Sequence, residues 1–388
     1  MKRLLVWLIL ICLCMAAGAE RSSPILVDSG ATLQTEFCVV GDFVIHDSLI
    51  RSAKSEAQRT KNAMGYDFSP MLTYVKELLS GADFTVANVD GVFYGDSKKP
   101  YAGYPTFNTP PALLYALKDA GVDMLTMANN HSLDYWYDGL KVSIDNVDAA
   151  GLMHIGAARS QEERDFPKII DIRGIRFGFL NYTTTLNLMD RRAALDPDAL
   201  IYGVNFETNA DFEADVRALR EGGAEMVICF MHWGTEYRAT SSSVQQRLAL
   251  SLMKAGVDVI MGGHPHVVEP AEWIQGTNQF GESQKTLCVY SLGNFLSGQR
   301  TSGRDGGILF RFTVKKDAYG NVSVSDTSYV SAWVWKQGST YRVLPVNQTK
   351  ASRVAGMTNA EYNAMLACQK IHEKAMTAGS LKPRQDDR

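Results

Sequence analysis

Residues 257–266 read Val257-Asp258-Val259-Ile260-Met261-Gly262-Gly263-His264-Pro265-His266. A run of buried-strand character gives way to a flexible glycine pair, and two histidines then follow one residue apart. Open α/β sheets place their sites just past the carboxyl ends of buried strands. Two imidazoles in that position can face adjacent metal ions, their orientation set by hydrogen bonds from behind.

The same pattern recurs outward in both directions. Phe37–Val40 runs into Gly41-Asp42, Phe84–Ala87 into Asn88-Val89-Asp90, and Val122–Ala128 into Asn129-Asn130-His131. Phe177–Leu180 runs into Asn181, Met226–Met231 into His232, and Thr286–Tyr290 into Ser291. Between them the periodicity predicts amphipathic helices at Met71–Leu79, Pro111–Ala120, Leu140–Ala150, Asp211–Glu221 and Val244–Ala255, several stopped by glycine. Strands alternating with helices define an α/β protein whose strand ends converge.

After Phe295 the pattern changes to Gly307–Val314, Val322–Trp335 and Tyr341–Val346, strand-like segments with a Lys-Asp-Ala-Tyr-Gly-Asn turn between the first two. A helix is expected from Asn359 to Ala378 and a frayed tail at Lys382–Arg388. The expected layout is a leader at 1–19, one α/β domain at 36–300, strands completing a sheet at 301–350, and a helix and tail at 351–388.

Hydrophobic residues make up 46% of the 388 and charged residues 21%, which suits one large core and excludes wholesale disorder. Lys2 and Arg3, an apolar run from Leu4 to Met15, and Ala17-Gly18-Ala19 match the pattern of a secretory leader, with a cut expected before Glu20. The run falls short of the ~20 residues a spanning helix needs. The protein is therefore expected outside the cell, at the cell surface or in the periplasm, the alternative being a retained anchor. No Lys/Arg cluster occurs in the mature chain, and the formal charge of −3 for the full chain becomes −5 without Lys2 and Arg3, so nucleic acid is not an expected partner. An anionic polymer remains open, because bound divalent cations can supply the missing positive charge. Cys38, Cys229, Cys288 and Cys368 lack metal-ribbon spacing, and the first three sit in apolar runs as core residues.

Five of the seven histidines fall in the blocks that carry Asp, Asn and Gly: His46, His131, His232, His264 and His266. His154 and His372 stand apart and read as structural. Asp42 with His46 can reach a metal from one loop, and Asn130 adds an amide oxygen. His131 can act as a proton donor beside the metals. Asp90 is the candidate bridging carboxylate, since two cations ~3.5–4 Å apart need an anionic ligand between them. Asp83 and Asp123 precede strands and read as turn residues.

Six blocks in this order resemble the calcineurin-like metallophosphoesterase superfamily, and more closely its CapA branch of poly-γ-glutamate capsule biosynthesis proteins. They are Gly-Asp42-Phe-Val-Ile-His46, Asn88-Val-Asp90, Ala-Asn-Asn130-His131-Ser-Leu-Asp134, His232-Trp-Gly-Thr-Glu236-Tyr, Gly-Gly-His264-Pro-His266-Val-Val-Glu-Pro and Tyr290-Ser-Leu-Gly-Asn294-Phe. The resemblance implies a four-layer α/β/β/α sandwich of the metallo-dependent phosphatase type. It implies two divalent ions (manganese, zinc or iron), one held by Asp42, His46 and His266, the other by Asn130, His232 and His264, with Asp90 bridging and His131 as catalytic acid. Asp134, Trp233, Glu236, Glu269 and Asn294 would contact substrate or support the ligands. Three departures stand out: Asp90 where the branch usually has Glu, Glu269 where Gln is common, and Asp-x-x-x-His where the superfamily has Asp-x-His.

Divalent coordination lowers the pKa of water from ~16 toward ~7, which would give a nucleophile near neutral pH. Three functions fit: a hydrolase or transferase of a γ-glutamyl amide polymer, a phosphoesterase, or a metal-containing accessory protein that binds polymer without turnover. Capsule-synthesis membrane proteins would be further partners. Trp233, Tyr237, Trp136, Tyr135 and Tyr137 lie beside the motifs, as a wall for an extended chain or as packing. Arg238, Arg300 and Arg304 are the cationic candidates near the site in sequence.

Overall fold

The structure, a computed structural model, describes residues 32–187, 196–346 and 353–379. The expected leader, its cut before Glu20 and the tail Lys382–Arg388 lie outside the described residues. Among these residues no helix is long and apolar enough to cross a membrane.

Two sheets form the centre. In the first, β1 (Leu33–Val44), β2 (Phe84–Val89), β3 (Met124–Thr126) and β4 (Met153–Ile155) run parallel. Beyond β1 it continues antiparallel through β12 (Gly306–Lys316), β13 (Val322–Gln337) and β14 (Thr340–Val346). The second has the order β5-β6-β7-β8-β10-β9, built from β5 (Ile169–Ile172), β6 (Ile175–Thr183), β7 (Met226–His232), β8 (Val259–Gly263), β9 (Val268–Thr277) and β10 (Ser283–Leu292). Its central strands β6, β7, β8 and β10 are parallel.

Period-two alternation sorts the side chains into layers. Phe37 and Val39 of β1 face the second sheet with Phe84, Val86, Phe177, Phe230 and Phe310. Cys38 and Val40 turn the other way, onto the helices α1 (Asp47–Thr60), α2 (Ser69–Leu72), α3 (Lys76–Ser80), α4 (Ala112–Asp119) and α5 (Trp136–Ala149). α6 (Gln161–Asp165) is a surface turn. On the far side, Val227, Cys229 and Ile260 pack under α7 (Phe212–Glu221) and α8 (Ser243–Ala255). The result is the expected α/β/β/α sandwich. Inside it Phe37 stacks on Phe312 at 4.9 Å and meets Phe177 edge-on at 4.8 Å, contacts favoured by the ring quadrupole. α9 (Asn359–Ala378) opens on a capping box between Thr358 and Glu361 and lies against Trp333, Trp335 and Leu344. All four described cysteines are free and buried.

Two expectations change. The single helix at Met71–Leu79 is two short ones, α2 and α3, parted by Thr73-Tyr74-Val75. Two β-branched residues and an aromatic are poor helix formers, and the Val75 amide closes a tight turn on the Leu72 carbonyl at 3.0 Å. Asp42 does not follow the first strand but lies within it. β11 (Asn294–Ser297) adds parallel to β1 at Asp42, Phe43 and Val44 and extends the ladder past Gly41. A Cβ at Gly41 would collide with the Gly293 carbonyl, so this approach requires glycine.

Candidate metal centre

The carboxyl ends of β1, β2, β7, β8 and β10 meet at one edge of the sandwich, and the polar residues there are buried. Asn88, opposite Asp42 in the β1–β2 register, donates its Nδ2 to Asp42 Oδ1 and to Asp90 Oδ1, each at 2.8 Å. Asp42 Oδ2 accepts the His264 amide at 2.9 Å. His232 Nε2 lies 2.9 Å from Asn130 Oδ1 and 3.9 Å from Asp90 Oδ1. His266 Nδ1 lies 3.7 Å from Asp42 Oδ2 and 3.0 Å from Asn294 Oδ1, the outer contact that fixes a ligating imidazole.

Two sets of ligand atoms result, each within 4.8 Å: Asp42, Asp90 and His232, and Glu236, His264 and His266. The His232 and His264 rings, 4.8 Å apart, join them. The left-handed backbone is unusually frequent here. His264 (φ 95°), His266 (φ 59°), Tyr237 (φ 67°), Trp136 (φ 62°) and Asn187 (φ 47°) are all non-glycine. Such residues cost of order 1–3 kcal/mol each and persist where the surroundings dictate them.

Burial raises Asp90 well above the usual carboxylate range, reinforced by the neighbouring Asp42 charge. It raises Asp42 as well, against the pull of His266. The imidazoles move the other way: desolvation holds His264 down to about 3 and lowers His232 and His266, with the neighbouring histidines adding to it. Burial thus disfavours the charged form of both kinds of group, and the neutral imidazole is the form that ligates a cation. Asp90 Oδ2, Asn130 Nδ2 and His264 Nδ1 are buried without a hydrogen-bond partner among the described residues. The donor set of carboxylate oxygen, imidazole nitrogen and amide oxygen therefore fits divalent transition metals.

Beside the cluster, His131 Nδ1 lies 2.8 Å from Asp134 Oδ2, which also accepts the Phe107 amide at 2.6 Å. The Phe107 ring meets the imidazole edge-on at 4.6 Å. Pinned at Nδ1, His131 is left with Nε2 as its working atom, 3.1 Å from Asn187 Nδ2.

His46 belongs to neither set of ligand atoms. Its Nδ1 lies 2.9 Å from the Val44 carbonyl and its ring meets Phe107 edge-on, so Nε2 is the atom left to ligate. Glu236, grouped above with the supporting residues, stands instead with His264 and His266. Trp233 is buried and donates to the Tyr290 carbonyl at 2.9 Å, and Tyr137 is buried and bonds Ala158, so both are packing. Trp136 and Tyr237 are exposed. Glu269 is fully buried, with Oε2 2.6 Å from Gln245 Nε2 and no partner for Oε1 among the described residues. His154 and His372 are buried away from the cluster. Asn88 stood in a quoted motif without a role, and Asn187 carried no sequence signal.

Residues 36–299 match the family described as Bacterial capsule synthesis protein PGA_cap. The chain is 26% identical over 250 residues to Capsule biosynthesis protein CapA of Bacillus anthracis, covering 61% of this chain and 56% of that one. It is 28% identical over 258 residues to PGA biosynthesis protein CapA of Bacillus subtilis (strain 168), covering 65% and 63%. It thus spans under two-thirds of the length of these curated relatives. Among solved structures, calcineurin-like phosphoesterase YfkN from Bacillus subtilis superposes with a TM-score of 0.43 at 14% identity, over 89% of this chain and 99% of that one. NAD nucleotidase (NadN) of Haemophilus influenzae superposes with a TM-score of 0.45 at 12% identity, over 92% and 65%.

Proposed function

The chain belongs to the bacterial capsule synthesis family PGA_cap, and from that premise we propose that it is an exported hydrolase or transferase cutting a γ-glutamyl amide polymer during capsule formation. The names of the Bacillus relatives support the pathway. The observation that carries the chemistry is the His131–Asp134 pair at 2.8 Å beside a cluster of buried carboxylates and imidazoles.

Asp42, Asp90, Asn130, His232, His264 and His266 would hold two divalent ions, with Glu236 and His46 at the periphery. Those ions would polarise the scissile carbonyl and lower the pKa of water. Asp134 accepts from His131 Nδ1 and fixes the orientation of the ring, so that Nε2 faces the reacting bond. His131 Nε2 gives its proton to the amide nitrogen as water, or an acceptor amine in transfer, bonds to the carbonyl carbon and the C–N bond breaks. The Phe107 ring packs edge-on against the imidazole at 4.6 Å and holds it in place.

The test is an assay of metal-loaded protein on poly-γ-glutamate and on a simple aryl phosphoester, following chain length, new amines and released phosphate. Metal-dependent shortening of the polymer is expected. Turnover of the phosphoester alone would replace this reading with a phosphoesterase, and polymer binding without product would make the protein an accessory factor.

A further inference from the structure

Three arginines flank the centre in sequence, and two are occupied. Arg300 donates to the Gln299 and Val334 carbonyls, each at 2.6 Å, and Arg238 lies on Thr240 at 3.3 Å. Arg304 differs: its guanidinium makes no hydrogen bond or ion pair with a described residue. Its Cζ lies over the Tyr237 ring, 3.5 Å from the centroid, and Tyr237 in turn lies 6.0 Å from the His266 ring at a tilt of 32°. Arginine, aromatic ring and candidate ligand form one stack.

The stack is held from both sides. Tyr237 has a left-handed backbone (φ 67°), and its amide donates to the Pro265 carbonyl at 2.7 Å, between the two histidines. The Arg304 carbonyl accepts Asn294 Nδ2 at 2.8 Å, and the same Asn294 places its Oδ1 3.0 Å from His266 Nδ1. Asp305, the next residue, is buried and accepts Trp333 Nε1 at 2.8 Å. A half-buried cation is thus fixed in place one ring from a candidate ligand, with no described residue hydrogen-bonded to its donor fork.

We propose that Arg304 binds an oxyanion of the substrate, a carboxylate or a phosphate, on the Glu236–His266 side of the centre. The planar fork matches such a group through two parallel hydrogen bonds. Resting on the function proposed above, this names what the site selects. In a γ-glutamyl polymer each amide nitrogen is bonded to a carbon that carries a free carboxylate, so the anion lies two bonds from the bond to be cut.

The experiment is calorimetric titration of metal-loaded full-length protein with a γ-glutamate hexamer, its fully methylated ester and inorganic phosphate. Wild type is compared with Arg304→Gln, Arg304→Met (which keeps the stem over Tyr237) and Arg238→Gln as control. Loss of the fork should weaken hexamer binding about ten- to hundred-fold, leaving ester binding, metal content and Tm unchanged. The control should match wild type. Hexamer affinity within two-fold of wild type in either folded Arg304 variant overturns the assignment and leaves the function standing. Phosphate binding that depends on Arg304, with no hexamer binding by wild type, keeps the oxyanion anchor and removes the polymer. Binding of neither anion by wild type overturns both.

Discussion

Replacing His131 and replacing His264 by alanine should fail in different ways. His131 is bound by Asp134 and Asn187 and belongs to neither set of ligand atoms, so His131→Ala should keep metal and fold while turnover falls about 10²–10⁴-fold. His264→Ala should lose metal and activity together, as elemental analysis beside kcat will show. Glu269 gives a pH test. Burial, only partly offset by Gln245 and Arg238, pushes its carboxyl up to about 7 from an ordinary 4.5. Between those values the folded chain keeps a proton that the unfolded chain releases. Stability attributable to this group therefore falls as pH rises from about 4.5 to about 7, by about 2–3 kcal/mol at ~1.4 per unit, and stays low above it. Glu269→Gln should remove that slope and raise the urea midpoint at pH 8 more than at pH 4.5.

At the scale of elements, the strand ends set the tolerance. A Cβ on Gly263, at the end of β8, would stand 2.6 Å from Asp42 Oδ1. Gly263→Ala should displace that carboxylate and lower metal occupancy at least ten-fold by elemental analysis while the circular dichroism spectrum is retained. Strands such as β7 were legible because buried parallel strands read as unbroken apolar runs closed by a polar residue. β11, four residues long, was not: its partner β1 lies some 250 residues earlier in the chain. The break between α2 and α3 was hidden because Leu72, Val75 and Leu79 are all buried and keep helical spacing across it. Within the site, Asp42, Asp90, Asn130, His232, His264 and His266 were legible as motifs. Two contacts were not: the double donation by Asn88 comes from the β1–β2 register, and Asn187 reaches His131 across 56 residues.

In the whole molecule, the centre joins two sheets. Asp42 and Asp90 come from the first, His232, His264 and His266 from the second, so bound metal should clamp one against the other. Adding metal at about 100 times its Kd should stabilise the fold by about 2.7 kcal/mol, and a chelator should lower Tm accordingly in a thermal melt. Between the sheets Phe37 touches Phe84, Phe177 and Phe312, and Phe37→Ala should cost about 3–5 kcal/mol in urea unfolding without changing metal stoichiometry. β1 also sets a timetable. It pairs on one side with β2, some 50 residues on, and on the other with β12, where Phe37 meets Phe312. A chain still being synthesised therefore holds its central strand with one edge open until residue 316 has emerged. Chains stalled before that point should be cut readily by protease in the β1–β2 region, and resistance should arrive in one step once β12 is available.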